Sequence, residues 1–263
     1  MASLANDGRL PTLSEIKGAN AHVNDNGYVL LTATRPVGPY LAWVWLRLGL
    51  TPRQVNYLSI VLGIALLALA ASGAPQGALG ATVLCFLWQA IDVSDGTMAR
   101  SLGIKDNFGG FVDYSSGMLI VAFLPFCLGM GLSVNSDGSL LGLATLLGYA
   151  FPIAGYVPLV IGAAISIISL YMRLINRILQ IRFGDSLSEG DSEASSGLSS
   201  RLRWVAKNLE TIGGLQAVFF FIAAAVGQLE AALLAYGLFY VLLFGAFVIS
   251  VYRGYGDKRA YLS

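Results

Sequence analysis

The chain has 263 residues, 56% of them hydrophobic and 12% charged, with a formal net charge of +1; a soluble domain carries about 25% charged residues. That balance excludes an ordinary water-soluble domain, and without a dense basic patch it gives no ground for a nucleic-acid partner. Cys85 and Cys127 both lie inside apolar runs, where thiols behave as small hydrophobes, so no disulfide framework is implied.

Residues 1–34 read as a polar cytoplasmic arm with one amphipathic turn around Leu13 to Ile16. The arm holds Asp7, Arg9, Glu15, Lys17 and Asp25 but no apolar h-region, so no cleaved secretory signal is expected. Residues 35–255 read as the membrane domain and 256–263 as a cytoplasmic tail. Between Pro39 and Leu50, the aromatic residues Tyr40, Trp43 and Trp45 and the cation Arg47 fit an interfacial amphipathic helix with aromatic anchors. The first span is expected from Val55 to Ala71, after the helix-start signal Thr51-Pro52, because proline suits the first helical position. The second runs from about Ala78 past Asp92 to Arg100. Ser101 to Asn107 form a loop, and the third span covers about Gly109 to Met130. Asn135-Ser136-Asp137-Gly138 makes a turn. The apolar stretch from Leu140 to Ile181, broken by Pro152 and Pro158, reads as one kinked or partly re-entrant crossing. Residues 184–200, rich in serine, glycine and acids, cannot bury enough surface to order themselves and read as a mobile cytoplasmic loop. Arg201, Arg203 and Lys207 then mark an amphipathic segment. The last two spans are expected from Leu215 to Val226 and from Leu229 to Val251, joined by Gly227-Gln228.

The charges decide the topology. With six spans, all 16 Lys and Arg residues fall on one side of the bilayer, as the positive-inside rule requires, and both termini are cytoplasmic. If Leu140 to Ile181 crossed twice, the basic residues would divide between the two faces. The expectation is therefore an all-α integral membrane protein with six transmembrane helices and an N-terminal interfacial helix.

Three acids interrupt this apolar pattern. An aspartate near the centre of a membrane helix costs about 2.5–3.5 kcal/mol on insertion scales, so each needs a reason. Asp92 and Asp95, three apart, share a helix face that continues through the small residues Gly96 and Ala99. Asp113 opens the next helix after Gly109 and Gly110, so the three carboxylates can converge at the cytoplasmic end. Such a cluster repels itself unless a cation sits in it, and hard oxygen ligands suit Mg²⁺, Mn²⁺ or Ca²⁺. Mg²⁺ sites are commonly completed by substrate phosphates, to which Arg100 could add a donor. The plainer readings are a solvated helix end for Asp92 and Asp95, and interfacial anchoring for Arg100, Lys105, Arg173 and Arg177. Tyr40, Trp43 and Trp45 read as interface anchors, His22 as a surface residue, and Gly213-Gly214 as a helix start or a point of close packing.

The run Asp92-x2-Asp95-Gly96-x2-Ala99-Arg100-x8-Gly109-x3-Asp113 resembles the signature of the CDP-alcohol phosphotransferases at every one of these positions and in its spacing. Leu50-Thr51-Pro52-x-Gln54-Val55 resembles the start of that family's first span, and Tyr171-x-Arg173 the end of its fourth. The resemblance implies that Asp92, Asp95 and Asp113 bind one or two Mg²⁺ or Mn²⁺ ions. It makes Gly96, Ala99, Arg100 and Gly109, together with those aspartates, the nucleotide site. The implied donor is a CDP-linked lipid, CDP-diacylglycerol foremost, whose phosphatidyl or phospho-alcohol group passes to an acceptor alcohol with release of CMP. The acceptor itself stays open, although the family's use of arginines points to Arg173 and Arg177, and the resemblance also implies a homodimer. The chain departs from the signature at its last position: the family's fourth aspartate, its proposed general base, is Gly117 here. That departure reads as an inactivating substitution, as a non-catalytic CDP-lipid-binding pseudoenzyme or scaffold, or as a site where another group is the base. A divalent-cation transporter using the same acids is a further alternative.

Overall fold

The computed structural model describes residues 9–22, 27–104, 107–135, 154–183 and 198–259, and among these the chain is all helical. Ten α-helices follow in order among the described residues: α1 (Leu13–Ala19), α2 (Val29–Thr34), α3 (Gly38–Arg47), α4 (Pro52–Ala71), α5 (Pro75–Ser101), α6 (Asn107–Asn135), α7 (Val157–Phe183), α8 (Leu198–Leu209), α9 (Gln216–Ala225) and α10 (Leu229–Arg259). Five of them are long and apolar enough to cross a membrane, over Pro52–Ala71, Gln76–Ser101, Gly109–Val134, Val157–Leu179 and Leu229–Val251. This gives the chain the character of an integral membrane protein.

Local signals explain where α4 begins. The Thr51 hydroxyl accepts from the Gln54 backbone N–H, the Gln54 side chain accepts from Thr51 N–H at 2.8 Å, and Pro52 fills the first turn. This capping box satisfies donors that an uncapped helix leaves open. The α4–α5 connection turns on Gly73, whose φ of +70° suits a residue without a Cβ. Helices α4, α5 and α6 pack around Leu66, Cys85, Trp88 and Leu124, while α9 and α10 add Phe220 and Tyr236 to the same core.

Pro125 lies inside α6. Having no N–H, it leaves the Val121 carbonyl without its helical donor. Gln216 Nε2 of α9 donates to Val121 O at 3.2 Å, and Ser166 Oγ of α7 donates to the adjacent Ala122 O at 2.6 Å, both in buried surroundings. The interruption is thus repaired by side chains from two other helices, as membrane interiors require. Glycines bring α6 and α7 together at the same level. A Cβ on Gly162 would strike the Pro125 carbonyl and come within 3.0 Å of Phe126 Cα, and one on Gly129 would strike the Pro158 carbonyl.

Several sequence expectations change. The expected fifth span, Leu215 to Val226, is a helix of 10 residues, about 15 Å long and half of a ~30 Å hydrocarbon layer. Ahead of it the helical pattern breaks over 210–215. Gly214 is packed so closely on Asn208 that a Cβ would collide with the Asn208 backbone, and Gly213 lies against Gln89. The carbonyls freed by this break are satisfied from elsewhere: Tyr236 Oη donates to Leu209 O at 2.6 Å, Leu215 N–H to Asn208 O at 2.6 Å, and Arg173 Nη2 to Glu210 O at 2.9 Å. Pro158 does not kink a crossing. It stands at the second position of α7, where the missing N–H costs nothing. Trp45 is no outward anchor either, because its indole N–H donates to Ser94 Oγ at 3.0 Å, whereas Tyr40 and Trp43 do face outward. Helix α10 continues to Arg259, into the residues assigned to the tail.

The polar arm is packed onto the bundle. Ile16 of α1 is fully buried with Ala42 and Leu46 of α3 and Ile91 and Met98 of α5, and Leu30 of α2 joins the main core. Asn135, the expected start of a turn, is the last residue of α6; the rest of that turn (136–138), Pro152, the start of the Leu140 to Ile181 stretch and nearly all of the 184–200 loop lie outside the described residues.

Candidate functional site

The three acids meet at one end of α4, α5 and α6. The carboxyls of Asp92 and Asp113 lie close enough to interact directly. Asn56 of α4, itself buried, donates through Nδ2 to Asp95 Oδ2 at 2.9 Å and, at the limit of hydrogen bonding, towards Asp113 Oδ1 at 3.5 Å. Asp113 thus stands between the other two, beside Asp92 on one side and joined to Asp95 through the Asn56 amide on the other. Among the described residues, no three His, Cys, Asp or Glu side chains are drawn closely enough to share one ion as they stand. The donor chemistry nevertheless fits a hard cation. Every group is an oxygen or an amide, and Asp92 Oδ1 is buried without a hydrogen-bond partner, a deficit that an unprotonated acceptor can make good only with a donor or a metal.

Around this cluster α5 presents small surfaces. Gly96 is bare except for the guanidinium of Arg100, whose Nη1 would lie 3.1 Å from a Cβ placed there. Ala99 is half-buried one turn further on, and Gly109 and Gly110 lead into Asp113; a Cβ on Gly110 would meet nothing within 4 Å. Arg100 Nε donates to Asn20 Oδ1 at 2.6 Å, and Nη2 donates towards Thr97 Oγ1 at 3.4 Å. Gly117 sits one turn beyond Asp113 on α6. A Cβ there would be 3.8 Å from Trp88 Cη2, an ordinary contact. The position can therefore accept a side chain.

The two arginines of α7 part company. Arg173 holds the break before α9: besides the Glu210 carbonyl, its guanidinium lies 3.8 Å from the Glu210 carboxylate, and Nε donates towards Ser169 Oγ at 3.4 Å. Burial pushes the Glu210 carboxyl above its usual range, against the opposing pull of Arg173. Arg177 is exposed, with its guanidinium carbon 5.8 Å from the centre of the Tyr114 ring, next in sequence to Asp113. Thus Arg177 lies beside the helix of the acids, while Arg173 is engaged in the fold.

Two residues of the site escaped the sequence reading. Asn56 reads as one polar residue near the start of an apolar span, and the available signal was that an amide in such a place needs a partner. Asn20 reads as part of a polar arm and gives no comparable signal. No protein-family model matches the chain, and no curated protein matches it.

Proposed function

We propose that this chain is a membrane phosphotransferase of CDP-alcohol phosphotransferase type, taking a CDP-linked lipid, CDP-diacylglycerol foremost, as donor. The observation that carries the reading is the meeting of Asp92, Asp95 and Asp113 on spanning helices, with Asn56 bridging Asp95 and Asp113, beside the small residues Gly96 and Ala99. Asp92, Asp95 and Asp113 would hold one or two Mg²⁺ or Mn²⁺ ions, which when bound supply positive charge to the donor diphosphate. Gly96 leaves room for the nucleotide, and Arg100 directs Nη1 across that room, where it can donate to a phosphate oxygen. The acceptor hydroxyl oxygen attacks the donor phosphorus, the bond from phosphorus to the CMP oxygen breaks, and CMP leaves. The acceptor proton must go to a base, which Gly117 cannot be. In this reading α3 lies along the membrane surface. The run from Leu215 to Val226, which holds α9, makes a sixth crossing, both termini are cytoplasmic, the site opens near that face, and the chain forms a homodimer.

The glycine at position 117 favours a second reading, a non-catalytic protein that binds CDP-lipid and metal. The Gly117→Asp variant separates the two, since a Cβ at this position makes only an ordinary contact with Trp88. CMP release from CDP-diacylglycerol, with Mn²⁺ and a pool of alcohol acceptors, is expected to rise by roughly 10²–10⁴-fold if the variant regains a base. Tight donor binding with no CMP from either protein supports the binding protein. Metal binding or flux without any nucleotide affinity defeats both.

A further inference from the structure

The geometry points to Asn20, in the amino-terminal arm, as a positioning residue that aims Arg100 at the nucleotide site, an inference that rests on the CDP-linked donor proposed above. Asn20 follows the last residue of α1 and faces both ways. Its Nδ2 donates to Ile16 O at 2.8 Å and towards Thr97 O and Ser101 Oγ at 3.4 Å, which ties the end of α1 to the end of α5. Its Oδ1 accepts from Arg100 Nε at 2.6 Å. The arm is itself fixed, because Ile16 is fully buried and Lys17 Nζ donates to Tyr40 Oη of α3 at 2.8 Å.

This arrangement divides the guanidinium fork. Nε is held by Asn20 and Nη2 lies towards Thr97, so Nη1 is the edge left over Gly96. An arginine at an exposed helix end otherwise samples many rotamers, and restricting it before the ligand arrives lowers the cost of binding. Asp95 and Asp113 are near enough to attract the same cation, and with Nε on Asn20 and Nη2 towards Thr97 the Nη1 edge is the one placed to meet an anion. The arm is thus part of the binding site, although it precedes the whole signature.

The test uses the full chain in lipid nanodiscs, with CDP-diacylglycerol and Mn²⁺ as the probe and equilibrium binding as the readout. Asn20→Ala is expected to weaken donor binding by about 3- to 10-fold, the range for the net contribution of one ordinary hydrogen bond. Arg100→Ala is expected to weaken binding and to abolish the effect of a further Asn20→Ala change, because coupled residues are not additive. Unchanged or tighter binding by Asn20→Ala overturns the assignment. So does an equal loss in the Arg100→Ala background, which would make Asn20 only a cap of α1. If the original chain binds no CDP-diacylglycerol, the donor itself is wrong, and that result is distinguished by its independence from position 20.

Discussion

Changing Asn56 to aspartate sets the acidic cluster against itself. The side chains of Asn56 and Asp95 are buried and meet at 2.9 Å. The substitution removes a hydrogen bond to a carboxylate, about 1.5–3 kcal/mol. It also places a second negative charge at the same separation, about 6 kcal/mol of repulsion at an effective dielectric constant of ~20. The sum, roughly 7–9 kcal/mol, is comparable with the whole stability of a typical domain, about 5–15 kcal/mol. The variant can stay folded only if a proton or cation enters the cluster. Thermal unfolding in detergent micelles, followed by tryptophan fluorescence with chelator or with millimolar Mn²⁺, measures this directly. A cation at 100 times its dissociation constant stabilises by about 2.7 kcal/mol, or about 5–10 °C at ~2–4 °C per kcal/mol for a chain of this size. The original chain is expected to show such a shift, Asn56→Asp a lower midpoint in chelator and a larger shift, and Asn56→Ala a lower midpoint and a smaller shift. If Mn²⁺ moves none of them, the acids do not form a cation site. If Asn56→Asp matches the original chain in chelator, the contact with Asp95 is not made.

Gln216→Leu removes the donor to Val121 O but also removes Oε1 of Gln216, a buried acceptor without a partner. One orphan replaces another, so the single change is expected to shift stability by less than about 1 kcal/mol. Combining it with Pro125→Ala restores the helical N–H and is expected to exceed both single variants by about 1–3 kcal/mol in thermal unfolding; a double variant no better than the singles refutes the repair of α6. Gly162→Ala, which pushes a methyl group into the Pro125 carbonyl, is expected to cost about 1–3 kcal/mol, and an unchanged midpoint contradicts the close approach of α6 and α7. Glu210 keeps its proton to higher pH in the fold than the unfolded value of 4.5, so its contribution is fully present below that value and is lost as pH rises through the folded one. Glu210→Gln should therefore gain on the original chain between pH 5 and pH 8, and a difference in midpoint that stays constant or reverses refutes this.

What was legible depended on how far apart the interacting residues lie in sequence. The α4 cap spans four consecutive residues, and the face shared by Asp92, Asp95 and Gly96 follows from helical spacing alone. The length of α9 did not follow, because the run from Leu215 to Val226 is apolar enough for a span and only Gly213-Gly214 hints at the break. The groups that make the break tolerable, Arg173, Tyr236 and Tyr240, come from α7 and α10. Trp45 looked like an anchor because its partner, Ser94, lies 49 residues away. Asn56 and Asn20 meet their partners at separations of 39 and 80 residues, beyond what any local pattern carries.

The buried polar residues of the bundle divide by chemistry into two groups. Ser59, Thr82, Ser94, Thr97, Ser166, Gln216, Tyr236 and Tyr240 each donate to a backbone carbonyl, either within their own helix or where Pro125 and the break before α9 have freed one. A helical membrane fold has a standing use for such donors, since its irregular backbone leaves carbonyls to satisfy. Ionised carboxylates offer only acceptors, and no carbonyl can use them. Asp92, Asp95 and Asp113 therefore repair nothing in the backbone, and the amide of Asn56 supplies a donor only to Asp95 and, at longer range, to Asp113. Three such groups brought together at a cost, with one oxygen still lacking a partner, serve no requirement of the helices that carry them, and the cation site proposed above would give each of them a use.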